Sequence, residues 1–170
     1  MRVLITSMLL LTLLVPVRGT AAPVGTKLYP DPQPAPGFVL ADLNSDTHTL
    51  TDYRGKVLIV SFWATWCIPC KKELPSLART AEMLHDEGVR VVAINVGEGS
   101  QEIRRFLDRS PSDLVFLPDQ ESKIAGAWDV RALPTAYVVD KRGRIAMRVI
   151  GGLEWDEDSM VQDLRNLTGH

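Results

Sequence analysis

Only two of the 170 residues are cysteine, too few for the disulfide framework that staples small secreted domains. Histidine is nearly as scarce, at His48, His85 and His170, so a zinc site that needs a second pair of Cys or His ligands has no obvious source for them. There is no basic cluster either: 19 Lys and Arg are scattered among 21 Asp and Glu, for a net charge of −2, whereas a nucleic-acid binder needs a concentrated positive face. The chain shows no internal repeat. Its longest apolar run, Val3 to Val17, contains Pro16 and falls short of the roughly 20 residues that a membrane-spanning helix requires. What is present, 45% hydrophobic and 24% charged residues, is the composition of an ordinary globular domain large enough to bury its own core.

The N-terminus carries an address. Met1-Arg2 is a positive start, Val3 to Val17 an apolar stretch, and Gly19-Thr20-Ala21 offers small residues at the −3 and −1 positions of a cleavage site. Residues 1–21 therefore read as a cleavable signal peptide that exports the chain to the periplasm or another extracytoplasmic space, with an uncleaved membrane anchor as the competing reading. No cysteine follows the run to accept a lipid. Loss of Arg2 and Arg18 leaves 17 basic residues against 21 acidic, a mature charge near −4.

Residues 22–37, with Pro23, Pro30, Pro32, Pro34 and Pro36, read as an extended leader or linker, and residues 38–170 as the folded domain. Within the domain, Phe38-Val39-Leu40 suggests a short strand. The continuous apolar run Val57 to Ala64 suggests a central strand buried on both faces. Leu74, Leu77, Ala78, Ala81 and Leu84 recur at helical spacing from Cys67 to Glu87, with Gly88 as the expected cap and Pro75 as the expected kink. Val89 to Val96 reads as a second buried strand, and Ser100 as the N-cap of a short helix with Ile103, Phe106 and Leu107 inward. Leu114 to Leu117 gives a brief strand or a loop, and Ser122 to Trp128 a helical turn or two. Thr135 to Val139 and Arg144 to Ile150 form a hairpin about Asp140-Lys141-Arg142-Gly143, and Met160, Leu164 and Leu167 mark a closing helix. The order predicts an α/β fold, a mixed central sheet flanked by helices.

Both cysteines lie in Trp66-Cys67-Ile68-Pro69-Cys70, where a strand runs directly into a helix. The first thiol then sits beside unpaired backbone N–H groups and the positive end of the helix dipole, which favour thiolate. That makes Cys67 the nucleophile and Cys70, deeper on the same side of the first turn, the resolving thiol. A local structural disulfide is the plain alternative. Lys71 after Cys70 breaks the C-x-x-C-H haem-attachment pattern, and no cofactor is implied. Gly97-Glu98-Gly99 is a strand-to-helix loop, too little for a phosphate site without the rest of a P-loop.

The segment from Ser61 to Pro75, SFWATWCIPCKKELP, resembles the active-site segment of the thioredoxin-like family, in particular its exported TlpA, ResA and DsbE-like thiol-disulfide oxidoreductases. Arg54-Gly55-Lys56, Val130 to Thr135, and Gly151-Gly152 ahead of Trp155 resemble that branch too, so that the likeness runs over roughly residues 38 to 168. The resemblance implies a thioredoxin-like fold and a protein-disulfide reductase, with apocytochrome c cysteines as the typical client and a membrane donor of the thiol-disulfide type supplying electrons. The scarce histidines and the scattered charge leave no metal or nucleic-acid partner expected, and the domain is expected to be a monomer. The resemblance further implies that Pro134 is a cis proline facing the cysteines and that the Leu133 backbone pairs with bound peptide; a strand-starting edge proline is the alternative. Trp66 is expected at the active-site rim, with Ile68 and Pro69 beside it as substrate contacts, and Trp63 packed below.

Ser61 departs from cytoplasmic thioredoxins, which carry a buried aspartate at the matching position. A serine does not titrate in that range. Glu73, three residues past Cys70 and on its side of the helix, is the candidate for proton transfer; otherwise it is a solvated acid in an early helical turn. Two other activities on the same fold are open. A copper-binding or delivery module needs a histidine near the pair, and a peroxidase needs a proline and a Thr or Ser seven and three residues before the reactive cysteine, where Val60 and Ala64 stand.

Overall fold

The computed structural model describes residues 25–109, 112 and 114–169; the signal sequence read at 1–21 lies outside them. In chain order the elements are β1 (Lys27–Pro34), β2 (Val39–Ala41), β3 (Thr47–Thr49), a 3-10 turn (Leu50–Tyr53), β4 (Val57–Trp63), α1 (Ile68–Met83), β5 (Val89–Val96), α2 (Ser100–Leu107), β6 (Val115–Asp119), α3 (Lys123–Ala127), β7 (Thr135–Val139), β8 (Arg144–Ile150) and α4 (Asp158–Thr168). A six-stranded sheet has the order β1-β8-β7-β4-β5-β6, and β2 and β3 form a separate two-stranded ribbon.

The sheet is mixed. β4 pairs in parallel with β5 and antiparallel with β7, and all seven of its residues are buried, as a strand covered on both faces must be. Alternation along β4 sends Val57, Ile59 and Trp63 to one face, where they pack with Leu74 and Leu77 of α1 and with Met160 and Leu164 of α4. Leu58, Val60 and Phe62 go to the other face, against Leu117, Trp128 and Tyr137. Two apolar layers thus clamp the strand whose end carries the cysteines, which fixes that end firmly.

Three sequence expectations need correction. Residues 27–34 belong to the sheet: β1 pairs antiparallel with β8, so the folded unit begins ahead of Phe38 and a linker over 22–37 does not describe this part of the chain. Its prolines are tolerated because the strand is at an edge. The short strand expected at Phe38-Val39-Leu40 is present as β2, paired with β3 outside the main sheet. Finally, α1 ends at Met83, five residues short of Gly88; fully buried Leu84 ends the helix, and Gly88, at φ +85°, turns the chain into β5. Gly99 rather than Ser100 is the N-cap of α2.

Candidate active site

β4 delivers the chain to the open end of the sheet, and Ala64 to Trp66 turn it into α1. The Cys67 N–H donates to Ala64 O at 3.1 Å, and Cys67 is the N-cap residue of α1, in extended conformation. Its Sγ accepts the Cys70 N–H at 3.3 Å, the bond a helix start otherwise takes from Ser or Asp. Pro69 falls in the first turn, where its missing N–H leaves no helix bond unmade. Cys67 and Cys70 are joined in a disulfide with Cα atoms 5.3 Å apart, and they are 4% and 1% exposed. Trp66 and Ile68 on either side of Cys67 are 68% and 64% exposed, an apolar rim around a recessed sulfur. Trp63 is fully buried, with its ring 5.2 Å from that of Phe106 and 5.4 Å from that of Phe116.

The Leu133–Pro134 peptide is cis and Pro134 is buried. Because Thr135 stands opposite Phe62 in the β4–β7 ladder, this peptide lies at the end of the sheet from which Cys67 emerges. Pro134 O accepts the Gly151 N–H at 2.9 Å, tying the loop to the segment that follows β8. Gly151 has φ +99°, in the region that favours glycine.

Glu73 is not a solvated acid. It is 2% exposed, and its Oε1 accepts the Trp155 Nε1–H at 2.7 Å and the Leu153 N–H at 3.3 Å. Burial pushes its pKa up to about 7, against the pull of the Trp155 and Leu153 hydrogen bonds, and Glu154 adds to the rise. Next to Glu73, a cleft of about 310 Å³ is lined by Pro69, Lys72, Gly152, Leu153 and Glu154. Ser61, on the Ile59 and Trp63 face of β4, is fully buried, and its hydroxyl has no hydrogen-bond partner among the described residues.

Cys70 and Glu73 lie on α1 and Cys67 at its N-cap, as the spacing predicts. Sequence reasoning gives Trp155 no role, although this side chain anchors the Glu73 carboxyl; the Gly-Gly pair just ahead of it is the only signal. Neither described histidine adjoins the cysteines in the chain: His48 bonds Tyr53 at the β3 ribbon, and His85 sits beside Asp86 beyond α1. Among the described residues no cluster of three or more His, Cys, Asp or Glu is arranged to hold a metal.

Residues 32–148 match the model of the AhpC/TSA family. The thiol-disulfide oxidoreductase ResA of Geobacillus thermodenitrificans is 37% identical over 124 residues, 73% of this chain and 71% of its own length. ResA of Bacillus subtilis is 35% identical over 133 residues, 78% of this chain and 73% of its own. Among solved structures, a DsbE-type thiol:disulfide interchange protein of Chlorobium tepidum superimposes with a TM-score of 0.75 at 25% identity, over 81% of this chain and 97% of that one. The exposed lipoprotein thioredoxin Etrx1 of Streptococcus pneumoniae gives 0.68 at 28% identity, over 78% and 100%.

Proposed function

Because this chain belongs to the AhpC/TSA family and is a thiol-disulfide oxidoreductase of thioredoxin-like fold, we propose that it acts outside the cytoplasm as a reductase of protein disulfides. The observation that carries the mechanism is the buried carboxyl of Glu73 on the helix that Cys67 caps.

In the reduced protein the Cys67 thiolate, held at the start of α1, attacks one sulfur of a substrate disulfide. The substrate S–S bond breaks, one substrate thiolate leaves and takes a proton, and a mixed disulfide forms. Cys70 then loses its proton and attacks the Cys67 sulfur. The second substrate thiol departs, two electrons have passed to the substrate, and the protein is left with its Cys67–Cys70 disulfide. Glu73 receives the Cys70 proton. An acid that titrates near 7 can accept a proton at neutral pH and release it again, whereas Ser61 cannot. Trp66, Ile68 and Pro69 form one wall of the substrate site and the Leu133–Pro134 segment the other, where the Leu133 backbone pairs with extended peptide.

The signal-like residues 1–21 and the resemblance of residues 61–75 to exported thiol-disulfide oxidoreductases support an extracytoplasmic site of action, c-type cytochrome maturation as the client process, and a membrane thiol-disulfide donor that re-reduces the pair. Among the described residues no helix is long and apolar enough to cross a membrane. A peroxidase is not favoured: the two positions that its chemistry needs are occupied by Val60 and Ala64, both apolar and fully buried.

The test is mutational. Cys67→Ser should abolish insulin reduction, and Cys70→Ser should accumulate the mixed disulfide. Faster alkylation of Cys70 than of Cys67 in the reduced protein at neutral pH would reverse the two roles.

A further inference from the structure

The Gly97-Glu98-Gly99 loop has no part in the mechanism above, yet it reaches the active-site turn. β4 and β5 are parallel and end at the same edge, with Trp63 opposite Asn95. Gly97, at φ +81°, adopts a conformation that side chains disfavour, and Gly99 starts α2. Between them Glu98 turns back towards β4. Its carboxylate gathers three donors: the Thr65 N–H at 2.7 Å, the Thr65 hydroxyl, and the Asn95 Nδ2–H at 2.8 Å. Asn95 is fully buried, so the acid is fastened to rigid sheet on one side and to the turn on the other. Thr65 lies between Ala64, whose carbonyl receives the Cys67 N–H, and exposed Trp66.

We propose that Glu98 is a positioning residue for Cys67: by clamping Thr65 to the end of β5 it holds the 64–67 turn that sets the attacking sulfur at the start of α1 and Trp66 at the rim. Ala64 and Cys67 are buried at the two ends of the turn, while Trp66 is out in solvent, so that Thr65 is the point at which β5 holds its middle. Released from Glu98, the turn lets the sulfur stray from the helix N-terminus and from the line of attack on a docked disulfide, and small misplacements of a reacting atom are costly in rate. The inference rests on Cys67 being the attacking thiol.

Reach and charge can be separated. Glu98→Gln spans the same distance and keeps an acceptor for Thr65 but loses the charge; Glu98→Asp keeps the charge and is one methylene short. Single-turnover reduction of insulin by the reduced protein should stay within about threefold of wild type in Glu98→Gln. It should fall about tenfold in Glu98→Asp and Glu98→Ala, corresponding to about 1.4 kcal/mol of lost positioning. Should Glu98→Ala not fold, Glu98→Asp decides. A lowered melting temperature with a wild-type rate in the folded Asp variant would mark a purely stabilising contact and overturn the proposal. So would Glu98→Gln as slow as Glu98→Asp, which would assign the effect to charge. Full activity in Cys67→Ser would overturn the attacking-thiol assignment and the clamp with it; wild-type rates in Glu98→Asp beside an inactive Cys67→Ser would overturn the clamp alone.

Discussion

A single carboxyl, Glu73, sets a pH dependence of the whole protein. Its folded pKa of about 7 stands above the unfolded value near 4.5, so the native state holds the proton more tightly than the unfolded chain does. The associated stability is therefore complete below pH 4.5, declines as pH rises and is lost once pH passes 7, a difference on the order of 3 kcal/mol. Glu73→Gln keeps a carbonyl oxygen for Trp155 and Leu153 but has no proton to lose. Urea denaturation at pH 4 and pH 8 should show wild type and variant close together at the lower pH and the variant more stable at the higher. Parallel stability curves across that range would mean that Glu73 titrates like an exposed acid. On the proposed mechanism, in which Glu73 takes the Cys70 proton, the same substitution should slow the step in which Cys70 releases the mixed disulfide. Spacing from Cys70 makes Glu73 readable as a candidate in the sequence. Its burial is not readable, because the indole that anchors it comes from Trp155, 82 positions away, and only the fold brings the two together.

At the scale of elements, α1 and the segment after β8 are bound together by more than Glu73. The Ser76 hydroxyl accepts the Trp155 N–H at 3.1 Å and donates its one proton to Glu73 O at 2.9 Å, with Leu153 O at 3.3 Å as the alternative acceptor, and Arg79 pairs with Asp156 further along the helix. Ser76→Ala leaves the Trp155 N–H buried and unpaired, at a cost of about 1–3 kcal/mol. Hydrogen exchange should then quicken at residues 153–156 well before it does in β4; unchanged protection there would mean that Glu73 holds the segment unaided. Other elements differ in how plainly the chain announces them. β4 and β5 are apolar runs rich in β-branched residues, and the β7–β8 hairpin carries Asp140 and Gly143 at its turn, so local chemistry and final structure agree. β1 is concealed, because its prolines argue against a strand until the neighbour that pairs with it is known. The end of α1 is concealed for a related reason. Leu84 continues the helical apolar spacing but is buried through tertiary packing after the helix has stopped.

For the molecule as a whole, the reductase reading predicts a potential well below the roughly −120 mV of DsbA-type oxidants in equilibrium with glutathione. The Ile68-Pro69 pair lacks the histidine that such oxidants carry beside the second cysteine. A value as oxidising as that of DsbA would turn the physiological direction around. The borders of the main sheet bear on how such a protein handles extended clients. Ala35 N–H points inward to Gly143 O, so Pro34, the alternate position beside it, turns its donor-less nitrogen outward at one border, and the ladder is irregular between Leu28 and Gln33. At the other border Asp119 O receives the Gly97 N–H, which leaves Pro118 facing out. An unfolded polypeptide arriving alongside either border finds no regular row of N–H groups to zip onto. On the proposed mechanism, a reductase of protein disulfides so bordered resists lateral adhesion by its clients, and docking of extended backbone falls to the short stretch at Leu133.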